Sequence, residues 1–251
     1  MSVSQTPIAE IADEAHRILG AASAAEVPLR LIGGLAVLFH ADSLHPALVR
    51  AYKDIDLATP KGQGRKVAEL MTSLGYEPAK EFNALNGSRR LLFYDLPNER
   101  QVDVFVGTFE MCHVIPIGDR LSLDPTTIPL AELLLTKMQV VELNEKDMTD
   151  IVAILHHHDV AEHDDDAVNA AFVARLAAED WGLWRTTRMN VERVREQARA
   201  VGLSDEEYRT VMDRLDRLWE RIEAEPKSRG WRLRDRVGDR KRWYETPDEV
   251  A

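Results

Sequence analysis

The sequence has one cysteine, Cys112, so no disulfide can form within the chain. It has no apolar run near the roughly 18 residues that cross a bilayer. The opening stretch MSVSQTPIAE carries no basic segment followed by an apolar core, which argues against a secretory leader. A cytoplasmic protein without a membrane partner is therefore expected. No internal repeat is evident. An overall excess of positive charge is also missing: 32 basic residues against 43 acidic ones give a net charge of -11. A uniformly acidic surface would repel nucleic acid.

What is present reads as an ordinary globular chain. Its 251 residues suffice for one large domain or two small ones, with 45% apolar and 30% charged residues. The charge is uneven. Residues 227 to 244 hold eight basic side chains and two acidic ones, a local balance of 8 - 2 = +6, with Trp231, Trp243 and Tyr244 interleaved. Two readings stand for this tail: docking on the acidic body through salt bridges and aromatic burial, or contact with RNA phosphates and bases.

Apolar spacing predicts a helix over 6 to 20 and a short strand over 28 to 33. The glycines should break that strand, with a helix resuming at LAVLFH, and a second strand should follow over 54 to 58. GRKVAELMTSLGY predicts a helix stopped by Gly75. RRLLFYD and QVDVFVG predict a hairpin through LPNE, with further short strands in CHVIPI and DRLSLD. From Pro129 the pattern is helical: PLAELLLTKMQVVEL, EKDMTDIVAILHHH, then 164 to 178, 181 to 200 and 204 to 224. Ser204 followed by Glu207 forms a capping-box pattern. The expectation is a mixed α/β or α+β domain over 1 to 128, with flanking helices on its sheet, and an all-helical domain over 129 to 251 ending in the basic aromatic tail.

The stretch LIGGLAVLFH, followed by AYKDIDLATP, carries the chemistry. Asp54 and Asp56 are two apart on one strand and face the same way. Aspartate is poor in strands and like charges on one face repel. The bland reading is a polar strand end, but the flanking Ile55 and Leu57 imply a buried opposite face. Paired carboxylates suit a hard divalent cation such as magnesium. Asp103, alone among apolar residues in QVDVFVG, is costly unless neutralised and could supply a third carboxylate. Gly33 and Gly34 fit a tight strand-to-helix turn, or a turn that brings backbone N–H groups to phosphate.

Together, Gly33-Gly34, the D-x-D at Asp54 and Asp56, and Asp103 resemble the nucleotidyltransferase superfamily with the polymerase-beta-type fold. The 19 residues (35 to 53) between glycines and D-x-D, the lysine-bearing helix and the helical second half look most like AbiEii-type nucleotidyltransferases. Those are the toxin component of some toxin–antitoxin and phage-defence systems. The resemblance covers about residues 28 to 155.

It implies a nucleotidyltransferase-like fold and transfer of an NMP from an NTP to a hydroxyl acceptor. Asp54 and Asp56 would bind Mg2+ or Mn2+, and Asp103 would bind the catalytic metal and help activate the acceptor. Gly33 and Gly34 would cradle the triphosphate. Lys137 matches a helix lysine that reaches the phosphates, and Lys146, Asp147 and Asp150 match a charged segment closing the same site. The acceptor classes are RNA such as a tRNA 3′ end, slightly favoured by the tail, a protein hydroxyl, or an antibiotic-type small molecule. An antitoxin partner is implied too. The alternative is a non-catalytic nucleotide-binding or regulatory protein.

Other residues read less sharply. Lys137 lies among apolar neighbours and calls for a phosphate or carboxylate partner. Asp147 and Asp150 share a helix face and also suit a helix N-terminus. Arg89 and Arg90 read equally as phosphate grips or strand-end charges, and Lys53 as an offset to acidic charge. His156, His157 and His158 are consecutive, so a regular helix cannot aim all three at one metal; a helix end entering an exposed loop is expected. Trp181 and Trp184, three apart, read as core packing in preference to base stacking.

Overall fold

In the computed structural model, residues 6–41 and 43–246 are described. The chain divides into two compact units. The first comprises Met1–Asp42, Ala51–Phe109 and Pro116–Pro129; the second comprises Ser43–Arg50, Glu110–Ile115 and Leu130–Ala251.

The first unit is α/β. In chain order it has α1 (Ile11–Ala24), β1 (Arg30–Ile32), α2 (Gly33–His40), β2 (Ile55–Thr59), α3 (Gly64–Ser73), β3 (Glu77–Pro78), α4 (Lys80–Asn86), β4 (Arg90–Asp95) and β5 (Arg100–Val106). The five strands form one mixed sheet in the order β1-β2-β5-β4-β3. Only the β2–β5 pair is parallel. The β2 and β5 strands bury Ile55, Leu57, Val102, Val104 and Phe105.

The expected hairpin is present as β4 and β5, joined through a 3-10 turn at Leu96–Asn98. Gly75 follows α3 with φ +93°, the left-handed geometry that stops a helix. The first helix runs later than its apolar spacing suggests, because Glu10 accepts from the backbone N–H groups of Ala12 and Asp13 and fixes the start. α2 begins at Gly33, two residues before the expected restart. The stretch DRLSLD is a 3-10 turn, Leu121–Leu123, and not a strand. Arg30 donates to the carbonyls of Leu121 and Asp124 there, so side-chain contacts satisfy this backbone in place of a ladder. α4 was not anticipated. It is short, and it is tied to β4 by Asn83, which exchanges two hydrogen bonds with the backbone of Leu92 at 2.7 and 2.9 Å.

Two short strands, β6 (Thr108–Glu110) and β7 (Val114–Pro116), pair with each other. The second unit then carries α5 (Leu130–Met138), α6 (Glu145–His157), β8 (Asp159–Ala161), β9 (Ala167–Asn169), α7 (Ala170–Glu179), α8 (Trp181–Gln197), α9 (Asp205–Ala224) and α10 (Arg229–Val237). It is mostly helical, not all-helical: β8 and β9 form a parallel pair. The helix expected from 164 begins only at Ala170, because Asn169 caps it and is itself held by Asp164 at 3.0 Å. α5 stops at Met138, short of its apolar pattern, because Asn190 takes the carbonyls of Met138 and Val140 at 2.9 and 2.7 Å. α9 has the full capping box at Ser204 and Glu207. No helix among the described residues is long and apolar enough to cross a membrane.

Candidate active site

The polar centre of the first unit grows from strand register. Ile32, the last residue of β1, lies opposite Asp56, and Asp56 lies opposite Asp103 across the parallel β2–β5 pair. Neighbouring strands are about 4.8 Å apart, so the two carboxylates leave one sheet face as lateral neighbours. Asp54 sits just before β2 and is exposed; Asp56 is half-buried and Asp103 is buried.

The glycine turn closes on this pair. Gly33 has φ +73°, and a Cβ on it would overlap Asp56 Oδ2. Both facts exclude an ordinary side chain at that position. Gly34 is buried in the first turn of α2. The chain therefore brings a helix N-terminus, a tight glycine and an aspartate carboxylate to one point.

Asp103 is held from two sides. Arg90 Nε donates to its Oδ1 at 2.7 Å and Gln101 Nε2 donates to its Oδ2 at 2.8 Å. The Arg90 guanidinium lies 5.2 Å from the Phe105 ring and 5.8 Å from the Phe82 ring, so aromatic faces fix it as well. Sequence reading passed over Gln101 and the two phenylalanines. Strand alternation could have found Gln101 and Phe105, which flank Asp103 at i-2 and i+2 on one face.

The second unit gathers another predicted set. Lys137 Nζ is 3.0 Å from Asp147 Oδ1 and 2.8 Å from Asp150 Oδ2, and Arg50 pairs with Asp150 through two bonds of 2.8 Å. Burial by itself would lower the lysine's proton affinity; the Asp150 and Asp147 carboxylates outweigh it and leave the pKa raised. Lys137 is thus a satisfied cation within a four-residue ionic cluster. Asp147 also donates its backbone N–H to Asn144 Oδ1 at 2.9 Å, the cap at the N-terminus of α6. Lys146 is exposed on the same turn. Arg50 was not anticipated, and nothing in its local sequence marks it.

The histidine run differs from expectation. His156 and His157 end α6, but His158 is buried and leads into β8, not into an exposed loop. Trp181 and Trp184 are both buried, with ring centroids 6.2 Å apart. Among the described residues no group of three or more His, Cys, Asp or Glu side chains is spaced to hold a metal ion. Asp56 and Asp103 still offer only hard oxygen donors, and magnesium commonly uses one or two carboxylates with substrate phosphates completing its shell. The donor chemistry of this pair fits such an ion, provided Arg90 yields Asp103. No protein-family model, curated protein or solved structure matches the chain.

Proposed function

We propose that this chain is a divalent-cation-dependent nucleotidyltransferase of the polymerase-beta-type fold, moving an NMP from an NTP to a hydroxyl acceptor. The observation that carries the reading is Asp56 standing in register beside buried Asp103, with Gly33 closed against Asp56 by a backbone that only glycine adopts readily.

In the proposed reaction the acceptor oxygen forms a bond to the α-phosphorus and the bond to pyrophosphate breaks. A bound Mg2+ or Mn2+ would neutralise triphosphate charge and favour ionisation of the acceptor hydroxyl. Asp56 and Asp103, joined by Asp54 from the strand entrance, would hold that ion. Gly33 and Gly34 would let backbone N–H groups approach the phosphates, and the N-terminus of α2 would add its favourable dipole end. Arg90, once released from Asp103, would carry its charge to the triphosphate. Gln101 would keep Asp103 oriented. The protein's part is chiefly position and electrostatics. The likeness to AbiEii-type proteins extends the proposal to a toxin with an antitoxin partner.

A second reading draws on one observation. Asp103 is already neutralised by Arg90 and Gln101, as it would be in a nucleotide-binding regulator that performs no transfer. One experiment separates the two. Purified protein is incubated with α-labelled ATP, CTP, GTP or UTP and Mg2+ or Mn2+, with cellular RNA and protein as acceptors, beside an Asp54→Ala/Asp56→Ala variant. Label in one pool, lost in the variant, is the expected result. Nucleotide binding without label favours the regulator, and absence of both sinks the reading of the aspartates.

A further inference from the structure

We infer that α10 and the cleft between it and α8 form a docking surface for single-stranded RNA. The inference stands apart from the transferase reading, since it concerns the second unit alone and RNA binding is read without any NTP.

The starting point is a division of labour within α10. At 100° per residue, Trp231, Arg234 and Asp235 share one side and Arg229, Arg232, Leu233, Arg236 and Val237 share the other. The first side is committed inward. Trp231 is buried with its ring 5.1 Å from that of Trp184. Arg234 lies 4.5 Å from the Trp181 ring and donates to the carbonyls of Gly238 and Lys241 at 2.7 and 2.5 Å. Asp235 accepts from Trp181 Nε1 at 2.7 Å. These contacts explain Trp231 as packing and leave its indole unavailable as a stacking platform.

The outward side has no such explanation. Arg229, Arg232 and Arg236 are exposed and form no ion pair among the described residues; Arg240 and Lys241, just after the helix, are exposed in the same state. Leu233 and Val237 lie along one edge of them, 62% and 41% exposed. Three guanidinium groups along about 10 Å of helix repel one another. In a chain of net charge -11 this stripe is the local exception.

Beside the stripe is a cleft of about 530 Å3, with Trp181 and Trp184 in its wall and Arg185, Arg188, Arg236 and Arg240 around it. Two of these arginines are already matched: Arg185 pairs with Asp239 at 3.0 Å and Arg188 with Glu192 at 3.4 Å. The unmatched charge is that of Arg236 and Arg240.

The chemistry selects the partner. A row of unmatched arginines fits a partner with negative charge repeated along its length, which is a phosphate backbone. The two aliphatic side chains beside them suit the faces of bases or sugars. They are too few to seat a nine-residue helix in a lipid interface. The carboxylates of Asp235, Asp239 and Glu192 in the cleft keep spare acceptor positions. They would repel a DNA backbone without return, whereas ribose offers them 2′-hydroxyl donors.

The test is fluorescence anisotropy of the full chain with a labelled mixed-sequence 20-nucleotide RNA across a salt series. Wild-type binding should weaken with salt at a log–log slope of about -3, as expected for four or five phosphate contacts. Arg229→Glu/Arg232→Glu/Arg236→Glu should weaken binding at least about tenfold and reduce the slope by about 2. An Arg65→Glu/Lys66→Glu variant, changing exposed cations on α3, should bind as wild type. The neutral triple Gln variant should give the same direction of loss, and circular dichroism checks that each variant is folded. The inference is overturned by absence of RNA binding at low salt, by unchanged binding in the triple variant, or by equal affinity for DNA of the same sequence. It is equally overturned if the stripe instead supports binding to anionic vesicles or self-association, read by vesicle sedimentation and analytical ultracentrifugation.

Discussion

Arg90 and Asp103 form a partly shielded ion pair at 2.7 Å, the carboxylate 5% exposed and the guanidinium 23%. The arginine comes from β4 and the aspartate from β5, one diagonal step apart in the antiparallel register. Arg90→Ala leaves Asp103 buried with Gln101 as its remaining side-chain partner. Loss of one member of a fully buried pair costs about 3–5 kcal/mol, and the partial exposure of Arg90 reduces the expected loss to about 1–3 kcal/mol in urea unfolding. Millimolar Mg2+ should then raise the Tm of the variant more than that of wild type, because the ion no longer competes with Arg90. An equal response in both proteins would remove Asp103 from the cation site.

Gly33 is the second point of constraint. A left-handed φ and the overlap with Asp56 make Gly33→Ala a double penalty, expected at about 1–3 kcal/mol. Gly20 is the contrast: it lies in the interior of α1, and a Cβ there meets nothing within 4 Å. Gly20→Ala should be neutral or stabilising by up to about 1 kcal/mol. Chemical denaturation of the two variants side by side checks the pair; equal effects would mean that the turn at Gly33 is not constrained as described.

These two positions also show what the sequence made legible. Gly33, Asp56 and Asp103 stand out because each breaks a rule of the strand or helix it occupies, and a broken rule needs a local compensation. The β4–β5 hairpin and the Ser204 cap were readable for the complementary reason: strand alternation and capping are short-range signals. What sequence concealed is the partner of each charge. Lys137 called for a carboxylate or a phosphate; the resemblance put Asp147 and Asp150 at the same site, and only the fold shows that both pair with it and that Arg50, from far along the chain, stands beside Asp150. The two strands around the histidine run were hidden because three residues each give no alternation to detect.

The Lys137 cluster predicts a response to alkali. Its pKa is raised in the fold, so its proton is bound more tightly there than in the unfolded chain. The stabilisation is full below the unfolded value of about 10.4 and is lost as pH rises through the higher folded value. Wild type should therefore lose stability steeply above that range, and Lys137→Met should show a flatter profile. Below it, Lys137→Met leaves Asp147 and Asp150 with less compensation and should cost about 3–5 kcal/mol. Urea midpoints on both sides of the range measure both effects. A steep alkaline loss retained in Lys137→Met would assign it to another group.

His157 predicts the opposite response, to acid. Burial lowers its pKa, and the neighbouring His156, His158, His45 and Arg214 lower it further. Its Nε2 is buried without a hydrogen-bond partner. The unfolded chain thus takes up this proton first as pH falls below about 6.5, and stability declines toward the folded value. Glu207 faces the same cluster, 3.5 Å from His156 and 3.6 Å from His45. The Ser204 side chain and backbone hold its pKa down to about 2, so it stays ionised throughout this window and does not confuse the readout. His157→Asn should flatten the stability profile between about pH 7.5 and 5.5. Identical profiles for wild type and His157→Asn would remove His157 from the acid response.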